Sequence, residues 1–316
     1  MFSNKQTSAI VDIFATGADM YQNHDLATPL LQDMAADIQV LYDIIRYSLS
    51  QPDFLKTKQT YTTLSLAVLE TPDVSLVVNI FPSLPDKNTE ISFQSVHHHG
   101  YMLLTTTAAF GPGYKAITFK KGFEIDMQTG ITKMAKEKVY KNTDSKIDFV
   151  DANTPHIVFY PESISATYAM WSKKTKNDAS NTLKKIPIIL KFKKQLRKLV
   201  EALHLEKMVG IAKVAYYDFF PENGKLMAMK ERIHYDAAAG TNDNFLNNMF
   251  HFIQKTGFND TAFLQQLLQK PTTPDSAKKH INRLINNEEI APDFVTAYLN
   301  IPKVNLNFAE VAAATG

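Results

Sequence analysis

The sequence predicts a β-rich α+β protein, an antiparallel barrel or sandwich held between two helical flanks. Three observations point there. Residues 26–50 place Leu30, Leu31, Met34, Ile38, Leu41, Ile44 and Ile45 at three- and four-residue steps, the apolar stripe of an amphipathic helix. From Thr57 to Trp171 the texture changes to short runs rich in Val, Ile, Thr, Phe and Tyr, punctuated by Pro, Gly, Asn and Asp. Beyond Ser172 the helical period returns. The expected division is an N-terminal helical segment (1–56), a strand-rich block (57–172) and a mainly helical C-terminal region (173–316).

In the central block strands are expected near 61–69, 74–80, 90–96, 101–110, 114–119, 122–127, 131–135, 138–140, 147–149 and 156–171, the last broken at Pro161. Gln128-Thr129-Gly130 reads as a hairpin turn, because Gly takes a positive φ without a steric penalty. Short, evenly spaced strands with no helices between them favour antiparallel pairing over a parallel α/β sheet. Lys173 to Asp178 suits a solvated linker. Helical stripes follow at Leu196, Leu199, Val200 and Leu203, at Phe245, Met249, Phe252 and Ile253, and at Phe263, Leu264, Leu267 and Leu268. Pro271 and Pro274 end the third, and the pattern resumes at Ile281, Leu284 and Ile285. The basic run from Lys184 to Lys198 is read as a solvated face, in preference to a membrane or nucleic-acid contact.

Composition narrows the chemistry. Of 316 residues, 45% are hydrophobic and 21% charged, as in globular domains, which excludes wholesale disorder and a membrane bundle. Lys+Arg 34 against Asp+Glu 32 leaves a formal charge of +2, so no global field favours nucleic acid. With no Cys, disulfides, thiolate metal sites and a cysteine nucleophile are excluded together, and any metal must sit on His and carboxylates. The first residues lack the pattern of a signal peptide, and no uncharged run approaches the roughly 18 residues that span a bilayer. A soluble cytoplasmic protein is expected, with a symmetric homodimer as the default assembly.

His97-His98-His99-Gly100 is the most unusual feature of the chain. It follows a strand-like run, and in a strand residues i and i+2 share a face, so His97 and His99 converge while His98 points away. A third ligand is offered by His156, which follows the turn-rich Asp151-Ala152-Asn153-Thr154-Pro155 and opens an apolar strand. Neutral imidazoles ligate Fe, Ni, Cu, Zn or Mn, and three on one side leave positions open for substrate and O₂ or water. Tyr160 shares the parity of His156 and is the candidate phenolic proton donor. Trp171 and Tyr114 are candidate pocket walls, and Lys115, Lys120 and Lys121 are the cations nearest in sequence. Phosphate loops, nucleophile elbows and His-Glu-x-x-His helices are all absent from the sequence.

At these residues the chain resembles the cupin superfamily. His97-x-His99 is followed by Leu104, where the family usually has Glu, and then by Gly111. Pro155-His156 is similar to the second motif in reduced form. The resemblance covers about residues 57–172 and implies a small antiparallel cupin β-barrel with the ligands at one end. Within the superfamily it is most similar to the cysteine-dioxygenase-like branch, in which the Glu is absent and three His hold ferrous iron. What this implies is a metal-dependent dioxygenase that joins a small polar substrate (thiol, amine or amino-acid-like) with O₂. The metal would be Fe(II), with Mn, Ni or Zn as alternatives, held by His97, His99 and His156. The run Thr167-Tyr168-Ala169-Met170-Trp171 lacks the His of that branch's relay, which argues against cysteine itself. An O₂-independent isomerase or lyase and a non-catalytic ligand-binding cupin are the alternative readings.

Overall fold

The computed structural model describes residues 1–16, 19–51, 53–59, 63–82, 91–92, 96–122, 131–172, 215–220, 225–228, 240–293 and 306–315. The turn at 128–130, nearly all of the expected strand at 122–127, the linker after Ser172, the basic run and the stripe at 196–203 lie outside them.

Three helices open the chain: α1 (Lys5–Ala15), α2 (Met20–Ala36) and α3 (Ile38–Ser50). Side-chain caps start them. Asn4 accepts from the Thr7 N–H at 2.8 Å, Asp19 from Tyr21 at 3.0 Å and Asp37 from Gln39 at 2.9 Å. Each satisfies a donor that the first helical turn leaves without a partner. Eleven strands follow: β1 (Leu64–Glu70), β2 (Val74–Phe81), β3 (Ile91–Ser92), β4 (Val96–His98), β5 (Leu104–Phe110), β6 (Lys115–Phe119), β7 (Ile131–Lys133), β8 (Lys136–Lys141), β9 (Asp148–Val150), β10 (His156–Phe159) and β11 (Ser165–Ser172). The C-terminal region, expected to be mainly helical, contributes β12 (Ala215–Phe220), β13 (Lys225–Ala228) and β14 (Leu306–Asn307) besides α4 (Asn242–Lys255), α5 (Thr261–Gln269), α6 (Asp275–Ile285) and α7 (Phe308–Ala314).

All strand pairs are antiparallel. One sheet runs β1-β2-β11-β5-β9 and the other β7-β13-β12-β4-β10-β6-β8. Taken in chain order, β2, β4, β5, β6, β8, β9, β10 and β11 are dealt between the two sheets as β2-β11-β5-β9 and β4-β10-β6-β8. That is the strand order of a jelly roll, two sheets that share their Greek-key connections.

Alternation along the strands sorts the faces. On β2 and β11, Val74, Leu76, Val78, Ile80, Ala166, Tyr168 and Met170 turn away from the second sheet into one large core. Both helical flanks feed that core, with Leu31, Leu41 and Ile44 from the first and Phe245, Phe252 and Ile281 from the second. Polar ties reinforce the junction: Arg46 Nε lies 2.6 Å from Asp260, and the Tyr42 hydroxyl donates to the Thr256 carbonyl at 2.7 Å. The outer face of the second sheet has its own cover, Val96, Ile117, Phe119, Ile157 and Phe159 packing against Phe308 and Val311 of α7. Both outer faces are thus largely apolar and covered, while His97, His156, Asp148, Tyr114 and Tyr140 turn into the space between the sheets.

Gly111 ends β5 at φ +74, and a Cβ there would lie 2.5 Å from the Ile164 carbonyl oxygen. Gly111→Ala is expected to cost on the order of 3 kcal/mol in denaturant unfolding, through backbone strain and that collision. His24 on α2 is 1% exposed and meets the Thr105 hydroxyl through Nδ1 at 2.7 Å. Burial pushes its pKa down to about 4. The folded state therefore resists protonation that the unfolded chain accepts near pH 6.5. Stability from this group is complete above pH 6.5 and declines as pH falls toward 4, by about 3 kcal/mol in all. His24→Leu is expected to flatten the unfolding free energy across that window.

Candidate metal centre

His97 lies in the middle of β4, and its partner across the ladder is His156, the first residue of β10. His99 lies one residue beyond β4, where the alternation still carries its side chain to the face of His97. The three imidazoles converge: ring centroids are 4.8 Å apart for His97 and His99, 4.4 Å for His97 and His156, and 4.6 Å for His99 and His156. One ring nitrogen from each lies within 4.8 Å of the others. Among the described residues this is the one such group of His and carboxylates able to hold an ion.

The tautomer of His156 follows from its hydrogen bond. Its Nδ1 is 3.0 Å from the Thr154 carbonyl, which can only accept, so Nδ1 carries the proton and Nε2 keeps the lone pair. Burial pushes the His156 pKa down to about 4 against the opposing pull of that bond. Burial likewise holds His99 well below its ordinary value, and the neighbouring His156 and His97 add to the effect. Neutral rings are what a metal needs, since a protonated imidazole has no lone pair to give. An ion at the usual ~2.1 Å from imidazole nitrogen would draw these nitrogens to about 3–4 Å from one another, a modest torsional adjustment from the spacing seen. The donor set fits a divalent ion.

The surrounding loops hold the trio. The Gly100 N–H donates to His98 Nδ1 at 3.0 Å, which gives the middle His of the run a role in closing the turn. Gly100 sits at φ +63, and its carbonyl accepts from the Asn153 N–H at 2.6 Å, joining the two ligand-bearing loops. Asp151 anchors the second loop, accepting from the Tyr21 hydroxyl of α2 at 2.6 Å and from Lys121 Nζ at 2.5 Å. Trp171 meets His99 edge-on with centroids 4.4 Å apart, as a wall residue does. Leu104 fills the carboxylate position of the cupin pattern and is buried with Val150 and Ala169.

Other candidates lie elsewhere. Tyr160 is buried on the parity of His156 but four residues along, ~13 Å at 3.3 Å per residue. Its hydroxyl meets Thr63 Oγ1 at 3.1 Å and its ring meets Phe81 edge-on at 5.4 Å. Lys115 is not in the interior: its ammonium lies over the Phe308 ring, on the outer face of its sheet. Lys121 is engaged at the rim by Asp151. Glu124, Asp126, His204 and His234 lie outside the described residues.

Register brings in a residue that sequence reasoning passed over. His97, His156, Thr118 and Lys138 stand in one row across β4, β10, β6 and β8. Lys138 Nζ lies 2.9 Å from Oδ1 of Asp148 on β9, which bridges the two sheets. Asp148 Oδ2 accepts from the Tyr114 hydroxyl at 3.0 Å, and that hydroxyl is 2.5 Å from Thr106 Oγ1. The available signals were the alternation of Lys138 with Tyr140 and a lone acid between Ile147 and Phe149.

No protein-family model matches the sequence, and no curated protein does. Similar solved structures include the DMSP lyase DddQ from Ruegeria pomeroyi DSS-3, at 7% identity and a TM-score of 0.25, covering 37% of this chain and 49% of that one. An RmlC-like cupin with a double-stranded β-helix fold from Methanocaldococcus jannaschii is 13% identical, at a TM-score of 0.23 over 37% and 89% of the two chains. A cupin superfamily protein from Desulfitobacterium hafniense is 11% identical, at a TM-score of 0.24 over 39% and 87%. The match thus spans about half the length of the Ruegeria protein. What the strand order and the trio define is a class: a jelly roll with a three-imidazole cluster, buried at His97 and His156, between its sheets.

In the metal-free protein the His156 imidazole is expected to remain neutral, with its proton on Nδ1, from pH 8 to about pH 5. Long-range ¹H–¹⁵N correlation of the ring nitrogens reads this directly. Protonation near pH 6.5 would contradict the buried geometry.

Proposed function

We propose that the chain is a cupin-type metalloenzyme in which His97, His99 and His156 hold a divalent ion, Fe(II) foremost, and that it joins O₂ to a small polar substrate. The observation that carries this reading is the convergence of three imidazoles, two of them buried and that of His99 partly so, with the His156 tautomer set for ligation. Mn, Ni and Zn suit the same donors. When bound, the metal supplies a Lewis acid and a redox centre, and three ligands on one side leave the facing positions to the reactants.

The chain's own residues do the rest. Three neutral ligands add no charge, so the ion keeps its full 2+ and favours an anionic substrate atom such as a thiolate or alkoxide. The Thr154 carbonyl orients His156, and the Gly100–Asn153 bond keeps the ligand loops together, so the reactants meet in a set geometry rather than by encounter in solution. Trp171 and the apolar Leu104 exclude water on one side. Tyr160, one residue beyond β10, is retained as the candidate phenolic proton donor, its hydroxyl sharing a hydrogen bond with Thr63 Oγ1 at 3.1 Å. For a thiol the overall reaction is RSH + O₂ → RSO₂H, which consumes no other reductant. No helix among the described residues is long and apolar enough to cross a membrane.

Elemental analysis of untagged protein, purified without added metal, tests the site. Near-stoichiometric iron is expected in the wild type, and at least ~10-fold less in each of His97→Ala, His99→Ala and His156→Ala. Oxygen uptake on adding short thiols, amines or amino acids is expected only with iron present. Turnover under anaerobic conditions with Mn, Ni or Zn would replace the oxygenase with an isomerase or lyase. Absence of metal after reconstitution with Fe(II) would end the metalloenzyme reading.

A further inference from the structure

The interior holds a charged group that the trio does not use. Asp148 has a side chain only 1% exposed, and its charge is met by the Lys138 ammonium at 2.9 Å. That ammonium also lies 5.9 Å from the centre of the Tyr140 ring. A buried carboxylate beside an aromatic face is the chemistry that binds cationic nitrogen. Here the chain's own ammonium fills the place, and it is the loosely held partner: the Lys138 side chain is 43% exposed. Asp148, by contrast, is fixed from behind by the Tyr114 hydroxyl, itself braced by Thr106.

The receptor lies within reach of the trio. Lys138 stands two ladder steps from His156 in the same row, ~10 Å between Cα atoms. Thr118, buried, is the one residue between them in that row, while Ala116 and Val158 stand two residues along the same strands, in the row of Tyr140, and Ala169 and Val77 lie on the other sheet. A metal-bound heteroatom, two carbons and an ammonium bonded to a carboxylate span about 9 Å.

We propose that Asp148, with Tyr140 beside it, is the receptor for an ammonium group on a small substrate whose other end ligates the metal, and that Lys138 is the internal occupant the substrate displaces. The proposal rests on the trio being a metal centre and adds the substrate class, a short amine carrying a metal-binding heteroatom. Exchanging one ammonium for another conserves the contacts of Asp148 and returns Lys138 to water, so displacement is nearly balanced and the metal bond tips it. A substrate ending in a carboxylate would face the buried charge of Asp148 and is rejected.

Two experiments depend differently on the metal. Lys138→Ala deletes the equivalent of n-propylammonium. Tens of millimolar n-propylammonium chloride are expected to raise the thermal midpoint of the metal-free variant by about 2 °C. Sodium propionate at equal strength should not do so, nor should the amine act on Lys138→Ala carrying Asp148→Asn. Equal responses to the two salts overturn the receptor whether or not metal binds. With Co(II) loaded, 2-aminoethanethiol is expected to shift the visible bands at a concentration at least ~10-fold below that of 3-mercaptopropionate, and Asp148→Asn to erase the preference. An indifferent or carboxylate-preferring Co(II) protein overturns the receptor and leaves the metal centre standing. A protein that takes up no Co(II) overturns the metal centre and the substrate class with it, and the propylammonium experiment still decides the receptor.

Discussion

The pairing of His97 with His156 across the β4–β10 ladder is the constraint on which the interior depends. Strand side chains alternate with a period of two, so one pairing assigns every other inner residue of the sheet. A slip of one residue would send both imidazoles to the α7 side and bring Val96 and Ile157 into the interior. The apolar cover over Ile117, Phe119, Ile157 and Phe159 blocks that slip, because it would expose the whole row to polar neighbours. The register is therefore enforced from the outside, by hydrophobic burial, for the benefit of polar groups within.

The interior also accommodates His, Lys, Asp and several Tyr, so the apolar clusters between the sheets are small, and most of the apolar burial among the described residues lies elsewhere. The outer faces supply it. Each fully buried aliphatic side chain contributes about 2 kcal/mol, and the core shared by the first sheet, α1 to α3 and α4 to α6 is the largest in the molecule. Segments far apart in sequence meet there, as the Arg46–Asp260 contact shows.

Much of this was legible in the sequence, for identifiable reasons. The stripe expected over residues 26–50 is a local pattern, but it belongs to two helices, α2 and α3, parted at Asp37, which caps the second; the alternation of β2 and β5 is local too, and their expected boundaries lie within a few residues of those found. Pro161 ended β10 as its missing N–H requires, with β11 resuming at Ser165. The His trio was found because two members sit two residues apart and the third follows a turn. Lys138 and Asp148, ten residues apart on the consecutive strands β8 and β9, escaped because those strands belong to opposite sheets, and local alternation does not say which side chains face each other across the interior. Lys115, one of the cations nearest in sequence, stands on the outer face, since nearness along the chain says nothing about which face a strand presents. Strands β12 and β13 were equally hidden, since short apolar runs do not separate strand from helix.

The turn at His98 has one further consequence. Its shape is set by the chain itself, by an imidazole taking the N–H of Gly100 and by Asn153 bonding to the same glycine. A binding place that is preorganised spends no affinity on ordering its ligands, and for the same reason it exerts little discrimination through folding. Under the proposed reading, the choice among divalent ions at the trio would be a matter of supply and exchange rates in the cell, and the protein's chemistry would be inherited in part from the metal economy around it.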